Sequence, residues 1–175
     1  MWEIRNNIVK HGVTTDGVIR GLYNALIENN ILINTRTYSA VYHCSYCTLK
    51  NNVIISEDVN DDATCNTDNM YVRNNVLSSQ SSIHDGNVLL GSSDLTKIFK
   101  CTGTAYSGEY YTLIEGSPAI GAGNGGIDCG VMAGAYRFVP YGRPRFIPVI
   151  KEVSVPTIPT DGKIKVSLKI ENQNE

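Results

Sequence analysis

Short apolar runs alternate with polar turns along the first half of the chain at a fixed interval. Ile8-Val9, Ile31-Leu32-Ile33, Val53-Ile54-Ile55 and Val76-Leu77 each follow an Asn-Asn pair. The pairs are Asn6-Asn7, Asn29-Asn30, Asn51-Asn52 and Asn74-Asn75, and their spacings are 23, 22 and 23 residues. The local frame repeats as apolar, charged, Asn, Asn, apolar, apolar. These runs are short, rich in β-branched residues and bounded by turn residues, which predicts strands. A fixed period in this range marks repeats that stack on one another. The spaced leucines of leucine-rich repeats are absent, as is the helical period of ankyrin or tetratricopeptide repeats. The pattern therefore predicts an all-β, parallel solenoid. Its coils run over 6–28, 29–50 and 51–73, with a fourth starting at Asn74. Each strand is expected to pair with its copy one coil on, about 4.8 Å away.

The paired Asn positions have a physical task in such a stack. An Asn turned inward at a bend can hydrogen-bond the Asn above and below it, which satisfies a buried amide. Asn also tolerates the left-handed backbone of a sharp corner. Asn6, Asn7, Asn29, Asn30, Asn51, Asn52, Asn74 and Asn75 are thus expected to form a structural ladder. Asn87, in Asp85-Gly86-Asn87-Val88, is a candidate further corner after a shortened coil.

From about Ser92 the period is lost. The chain divides into coils over 1–91, an irregular closing layer over 92–145 that is rich in Gly and Tyr, and a C-terminal β-ribbon over 146–175. In the ribbon, residues 148–155 and 163–170 read as strands around the turn residues Thr160-Asp161-Gly162. Ile164, Val166, Leu168 and Ile170 share one face. A lone ribbon is marginal, so this face is expected to lie on the coils, on another domain or on a second subunit.

Composition narrows the picture. Charged residues make up 18%, below the usual share of about 25%. The formal net charge of -2 gives no electrostatic case for nucleic acid or an anionic membrane. No run approaches the roughly 18 apolar residues of a membrane span, and no signal peptide is visible. No capping element precedes Ile4, so the natural protein is expected to be longer, or this end to be covered by another chain. A homo-oligomer through the uncapped first coil or through the ribbon is one expectation. The five cysteines are an odd number, so at least one thiol is free or pairs between chains.

The h-x-N-N-h-h frame resembles the right-handed parallel β-helix proteins of the pectate-lyase-like superfamily. Ser117-Pro118-Ala119-Ile120-Gly121-Ala122-Gly123 through Asp128-Cys129-Gly130 resembles the segment that closes the helix in Bacteroidetes-type surface β-helix proteins. The tail from Pro140 through Ile170 is similar to their terminal stretch. The resemblance implies three to four coils with a closing layer and ribbon. It also implies a secreted or cell-surface protein associated with polysaccharide. Lyases, hydrolases, epimerases, tailspikes and proteins without activity share this fold, so function has to come from a site.

Several residues are candidates for such a site. Arg5, Glu28, Lys50 and Arg73 share one frame position and form an outward column, in which Arg5, Lys50 and Arg73 could hold a sugar carboxylate. A solvated ladder paired through Glu28 is the plainer account. Tyr46 leads the aromatics of the coils (Tyr23, Tyr38, Tyr42, Tyr71), which could stack on sugar rings or merely pack edges. Asp61-Asp62 and Asn66-Thr67-Asp68 resemble polygalacturonase motifs in reversed order, and the GHG and RIK motifs of that family are missing. Asp61, Asp62 and Asp68 could serve as acid and base or, with Glu57 and Asp58, bind Ca²⁺, although no defined calcium loop is matched. Cys44-Ser45-Tyr46-Cys47 with Cys65 and His43 offers zinc-ligand chemistry, against stacked apolar cysteines. No cofactor is expected beyond the Ca²⁺ candidate. The leading expectation is a carbohydrate-associated scaffold or binding module without catalysis of its own. The alternatives are part of a polysaccharide lyase or glycoside hydrolase with its active site upstream, and an oligomeric adhesin or tailspike-like shaft.

Overall fold

The structure is a computed structural model. It describes residues 1–12, 17–36, 38–57, 64–65, 70–79, 86–104, 109–134, 138, 149–155 and 166–171. The chain divides into two compact units, Met1–Phe138 and Val139–Glu175. The described chain is all-β, with one short 3-10 turn at Leu95–Lys97.

In the first unit the strands are β1 (Trp2–Arg5), β2 (Ile8–His11), β3 (Ile19–Arg20), β4 (Ala25–Glu28), β5 (Ile31–Asn34), β6 (Val41–Tyr42), β7 (Thr48–Lys50), β8 (Val53–Ser56), β9 (Thr64–Cys65), β10 (Tyr71–Arg73), β11 (Val76–Leu77) and β12 (Val88–Leu89). They form three parallel sheets. The first is ordered β1-β4-β7-β10, the second β12-β11-β8-β5-β2 and the third β3-β6-β9. Ile8 pairs with Ile31, Ile31 with Val53 and Val53 with Val76. The interval of the Asn-Asn frames is therefore the register of the sheets.

Inward side chains of all three sheets make one core: Ile27, Leu49 and Val72 from the first, Leu32, Ile54 and Leu77 from the second, Ile19 and Val41 from the third. Cys44 and Cys47 sit in that core. The middle of the second sheet is buried on both faces, as an uninterrupted apolar strand requires. Every residue of β5 and β8 is buried. Ile31, Ile33, Val53, Ile55 and Val76 face outward against Ile98, Phe99, Tyr111, Ala119, Cys129 and Val131. Phe99 and Tyr111 meet edge to face at 5.4 Å. Burial of each such ring contributes about 2–3 kcal/mol. The non-repetitive segment after Ser92 thus covers the flank of the second sheet.

The second unit contains β13 (Val149–Ser154) paired antiparallel with β14 (Ser167–Glu171), with a bulge between Ile150 and Glu152. Val153 lies opposite Leu168, and both are exposed. The Thr160-Asp161-Gly162 turn and Ile164 lie outside the described residues.

Candidate functional site

Among the described residues, the first corner of the repeats carries a residue with left-handed backbone, and the third corner, between the third sheet and the first, carries two. At the first corner these are Asn6, Asn29, Asn51 and Asn74, with φ of 53, 56, 57 and 51°. Gly86, at φ 76°, takes the same place before Asn87. The two members of each Asn-Asn pair therefore do different work. Only the second is a rung of the amide ladder. Asn7 donates from its backbone and side-chain nitrogens to Asn30 Oδ1, at 2.9 and 3.2 Å. Asn30 donates likewise to Asn52, Asn52 to Asn75 and Asn75 to Asn87. The spare amide protons reach carbonyls of the preceding repeat, from Asn30 to Ile4, Asn52 to Ile27 and Asn75 to Leu49.

The first Asn of each pair, expected in the ladder, turns away from it. A left-handed backbone rotates its side chain toward the flanking layer, and residues 119–134 strap across this corner. Asn6 Nδ2 donates to the carbonyls of Val131 and Ala133 at 2.9 and 3.0 Å. Asn51 Oδ1 accepts from the Asn124 backbone at 2.8 Å. The Cys129 thiol donates to the Asn74 carbonyl at 3.2 Å. A side chain at Gly134 would collide with the amide of Asn29, so glycine is required at that crossing. This corner is structural throughout.

The third corner differs in kind. Ile19 pairs with Val41 and Arg20 with Tyr42, and Tyr23 bridges to Ser45. That register aligns Gly21 with His43 and Asn24 with Tyr46. All four are left-handed, at φ 69, 52, 53 and 55° respectively. Gly and Asn accept this conformation readily, whereas a bulky side chain is held there at a cost of about 1–2 kcal/mol. His43 and Tyr46 are also exposed, so burial does not return that cost. Tyr46 is 55% exposed and Tyr23 65%, with ring centroids 5.2 Å apart. His43 stacks on Tyr42 at 4.1 Å, and the Arg20 guanidinium lies over the other repeat's Tyr42 ring at 5.9 Å. Together Arg20, Tyr23, His43 and Tyr46, with the part-buried Tyr42, form an aromatic and cationic ledge along the third corner of two successive repeats.

The predicted charged column exists in register: Arg5 beside Glu28, Glu28 beside Lys50, Lys50 beside Arg73. Its chemistry is largely internal. Glu28 pairs with Arg5 at 3.4 Å and with Lys50 at 3.0 Å. Such half-exposed pairs stabilise by at most about 1 kcal/mol each. Arg73 lies instead over the exposed Tyr71 ring at 5.6 Å. Asp61, Asp62 and Asp68 lie outside the described residues, as does Asp58. Tyr38 is exposed.

Cys44 and Cys47 point into the core, while His43 points out. This division follows from the corner, which sends neighbouring residues to opposite sides, and it separates the proposed zinc ligands. Burial raises the Cys44 thiol above its ordinary value, with the nearby Cys47 adding to the shift. Burial also pushes the Cys129 thiol up to about 12. Buried, protonated thiols are poor nucleophiles and poor ligands. Among the described residues no group of three or more His, Cys, Asp and Glu side chains is placed to hold a metal ion. No helix among them is long and apolar enough to cross a membrane.

Sequence reasoning named Tyr23 and Tyr42 with Tyr46 among aromatics that could stack on sugar, and His43 only as a zinc candidate, but it left out Arg20 and did not bring these residues together. A usable signal was there. Aligning Arg20-Gly21-Leu22-Tyr23-Asn24-Ala25 with Tyr42-His43-Cys44-Ser45-Tyr46-Cys47 shows aromatic residues standing where the preceding repeat has Gly and Asn. No family model, curated protein or solved structure matches the chain.

Proposed function

We propose that this chain is a right-handed parallel β-helix of the pectate-lyase-like kind, and that it is a carbohydrate-binding scaffold of a secreted or cell-surface protein, without catalysis of its own. Three parallel sheets with a register of 22 or 23 residues support the helix. The strong preference for right-handed connections between parallel strands supports its hand. The binding reading rests on one observation: His43 and Tyr46 hold strained, exposed corner positions that Gly21 and Asn24 fill without strain one repeat earlier. Exposed rings in successive repeats offer flat apolar faces to sugar rings, with Arg20 and Tyr hydroxyls beside them to bond sugar hydroxyls.

The test is a swap toward the preceding repeat. Tyr46→Asn removes the ring and relieves the backbone at once. Binding to polysaccharides on a glycan array, followed by titration calorimetry on the hits, is expected to weaken at least tenfold. Thermal stability is expected to hold or rise. Wild-type protein that binds no glycan, or a variant that binds as well as wild type, overturns the reading.

A further inference from the structure

The exposed rings do not stop at the third corner. Tyr23 and Tyr46 lead directly into β4 and β7 of the first sheet. Side chains alternate along those strands. Ile27, Leu49 and Val72 enter the core, and Leu26, Thr48 and Tyr71 stand on the opposite face. These three are in register, Leu26 beside Thr48 and Thr48 beside Tyr71. Leu26 and Thr48 are half-buried, whereas Tyr71 is 62% exposed.

Tyr46 precedes Thr48 by two residues, and Tyr71 lies one strand across from Thr48. At roughly 3.3 Å per residue and 4.8 Å per strand, Tyr46 and Tyr71 are about 7–8 Å apart. The Tyr23 ring lies 5.2 Å from that of Tyr46. Tyr23, Tyr46 and Tyr71 therefore come from three successive repeats and step obliquely from the corner onto the sheet. Arg73 follows on the same outward face and lies over the Tyr71 ring at 5.6 Å. That contact holds a guanidinium, rich in donors for sugar hydroxyls, at the rim of the row.

A single sugar ring covers a single tyrosine. Three rings spaced by the repeat are matched by a ligand that itself repeats. Each further ring buries another sugar face. Successive contacts on one chain add affinity without a new cost of association. We infer that the site takes a linear oligosaccharide stretch of at least three sugar units, laid obliquely across three repeats, with Tyr71 and Arg73 as its outer end. This rests on the carbohydrate reading above, and adds to it a chain length and contacts on the first sheet.

Titration calorimetry tests it with size series, monosaccharide to hexasaccharide, cut from glucan, mannan, xylan, galactan and polygalacturonate. Wild type is expected to bind at least one series, with the tetrasaccharide at least about tenfold tighter than the disaccharide. Tyr71→Ala is expected to weaken the tetrasaccharide at least about tenfold and the disaccharide less than about twofold. Tyr71→Phe keeps the ring and is expected to stay within about twofold of wild type on both. Tyr46→Asn, in the middle of the row, weakens both. Tyr71 is exposed, and circular dichroism with a thermal melt checks that its variants fold. Affinity that does not rise with length overturns this inference alone. So does a Tyr71→Ala loss that is absent or equal at both lengths, or a Tyr71→Phe loss as large as that of Tyr71→Ala. Wild type that binds none of these oligosaccharides overturns it too, and binding to nothing on the full glycan array overturns the carbohydrate reading with it.

Discussion

The first corner and the third corner of each repeat ask the same thing of the backbone and are built in opposite ways. Both need a left-handed residue. At the first, Asn recurs in four successive repeats, and Gly86 serves before the fifth rung. At the third, the same position holds Asn24 and then Tyr46. The first corner is closed in by the ladder on one side and by the strap of residues 119–134 on the other. Amides there find partners in the strap: Asn6 Nδ2 at Val131 and Ala133, and Asn51 Oδ1 at Asn124. The third corner opens to solvent, where the backbone angle is the sole demand and the side chain is left for other uses. Uniform corners thus mark where the fold is held, and variable ones where a surface can be fashioned.

The largest expected effect separates the two corners directly. Asn52→Ala leaves the Asn30 N–H and the Ile27 carbonyl each short of a partner in a buried setting, while Asn75 Oδ1 keeps the backbone N–H of residue 52. At about 1–3 kcal/mol for each orphaned group, urea titration is expected to show a loss of roughly 4 kcal/mol. Asn24→Ala, at the open corner, loses only its backbone tolerance and should cost about 1–2 kcal/mol. Equal losses would abolish the distinction.

The strap provides the next test. Cys129 is protonated in the fold to about pH 12, against an ordinary thiol value of 9.0. A group raised in this way adds its full stability below the unfolded value and loses it as pH climbs toward the folded one. Stability is therefore expected to fall from about pH 9 upward, at a limiting slope of about 1.4 kcal/mol per pH unit. Cys129→Ala should flatten that slope when melting is followed across the range. An unchanged slope would place the alkaline sensitivity elsewhere.

Tyr46→Asn is the smallest effect and the sharpest in sign. It relieves about 1–2 kcal/mol of backbone strain and forfeits about 0.5–1 kcal/mol of ring contact with Tyr23. The net change in denaturant titration is expected to lie between zero and about 1.5 kcal/mol of stabilisation, unusual for removal of an aromatic side chain. A clear destabilisation would show that Tyr46 is held for packing.

The contrast also explains what could be read in advance. The ladder and the sheet register were legible because buried amides select one residue type at one spacing. The third corner was harder to read, since no single residue type recurs there: Gly21 gives way to His43 and Asn24 to Tyr46, and only aligning the two repeats exposes the change. The separate tasks of paired asparagines were hidden because one residue type suits both. The strap was hidden for a different reason. Its bonds join Asn6 to Val131 and Asn51 to Asn124, and no period connects those positions. In the second unit, the apolar alternation placed strands close to where β13 and β14 lie, but the bulge at Ile150 to Glu152 leaves no mark in that alternation.

The strap has a consequence for the order of events as the chain folds. Ladder bonds close loops of 22 or 23 residues, so each new repeat can settle on the one before it by a short search. The clasp from Asn6 to Val131 closes a loop of 125 residues, and its closure entropy is met only after the repeats have made that distance small. Bonds made after the rate-limiting step leave the folding rate alone and slow unfolding. The strap thereby acts as a latch in time: the repeats set how fast the native state is reached, and the last segment to arrive sets how long it persists.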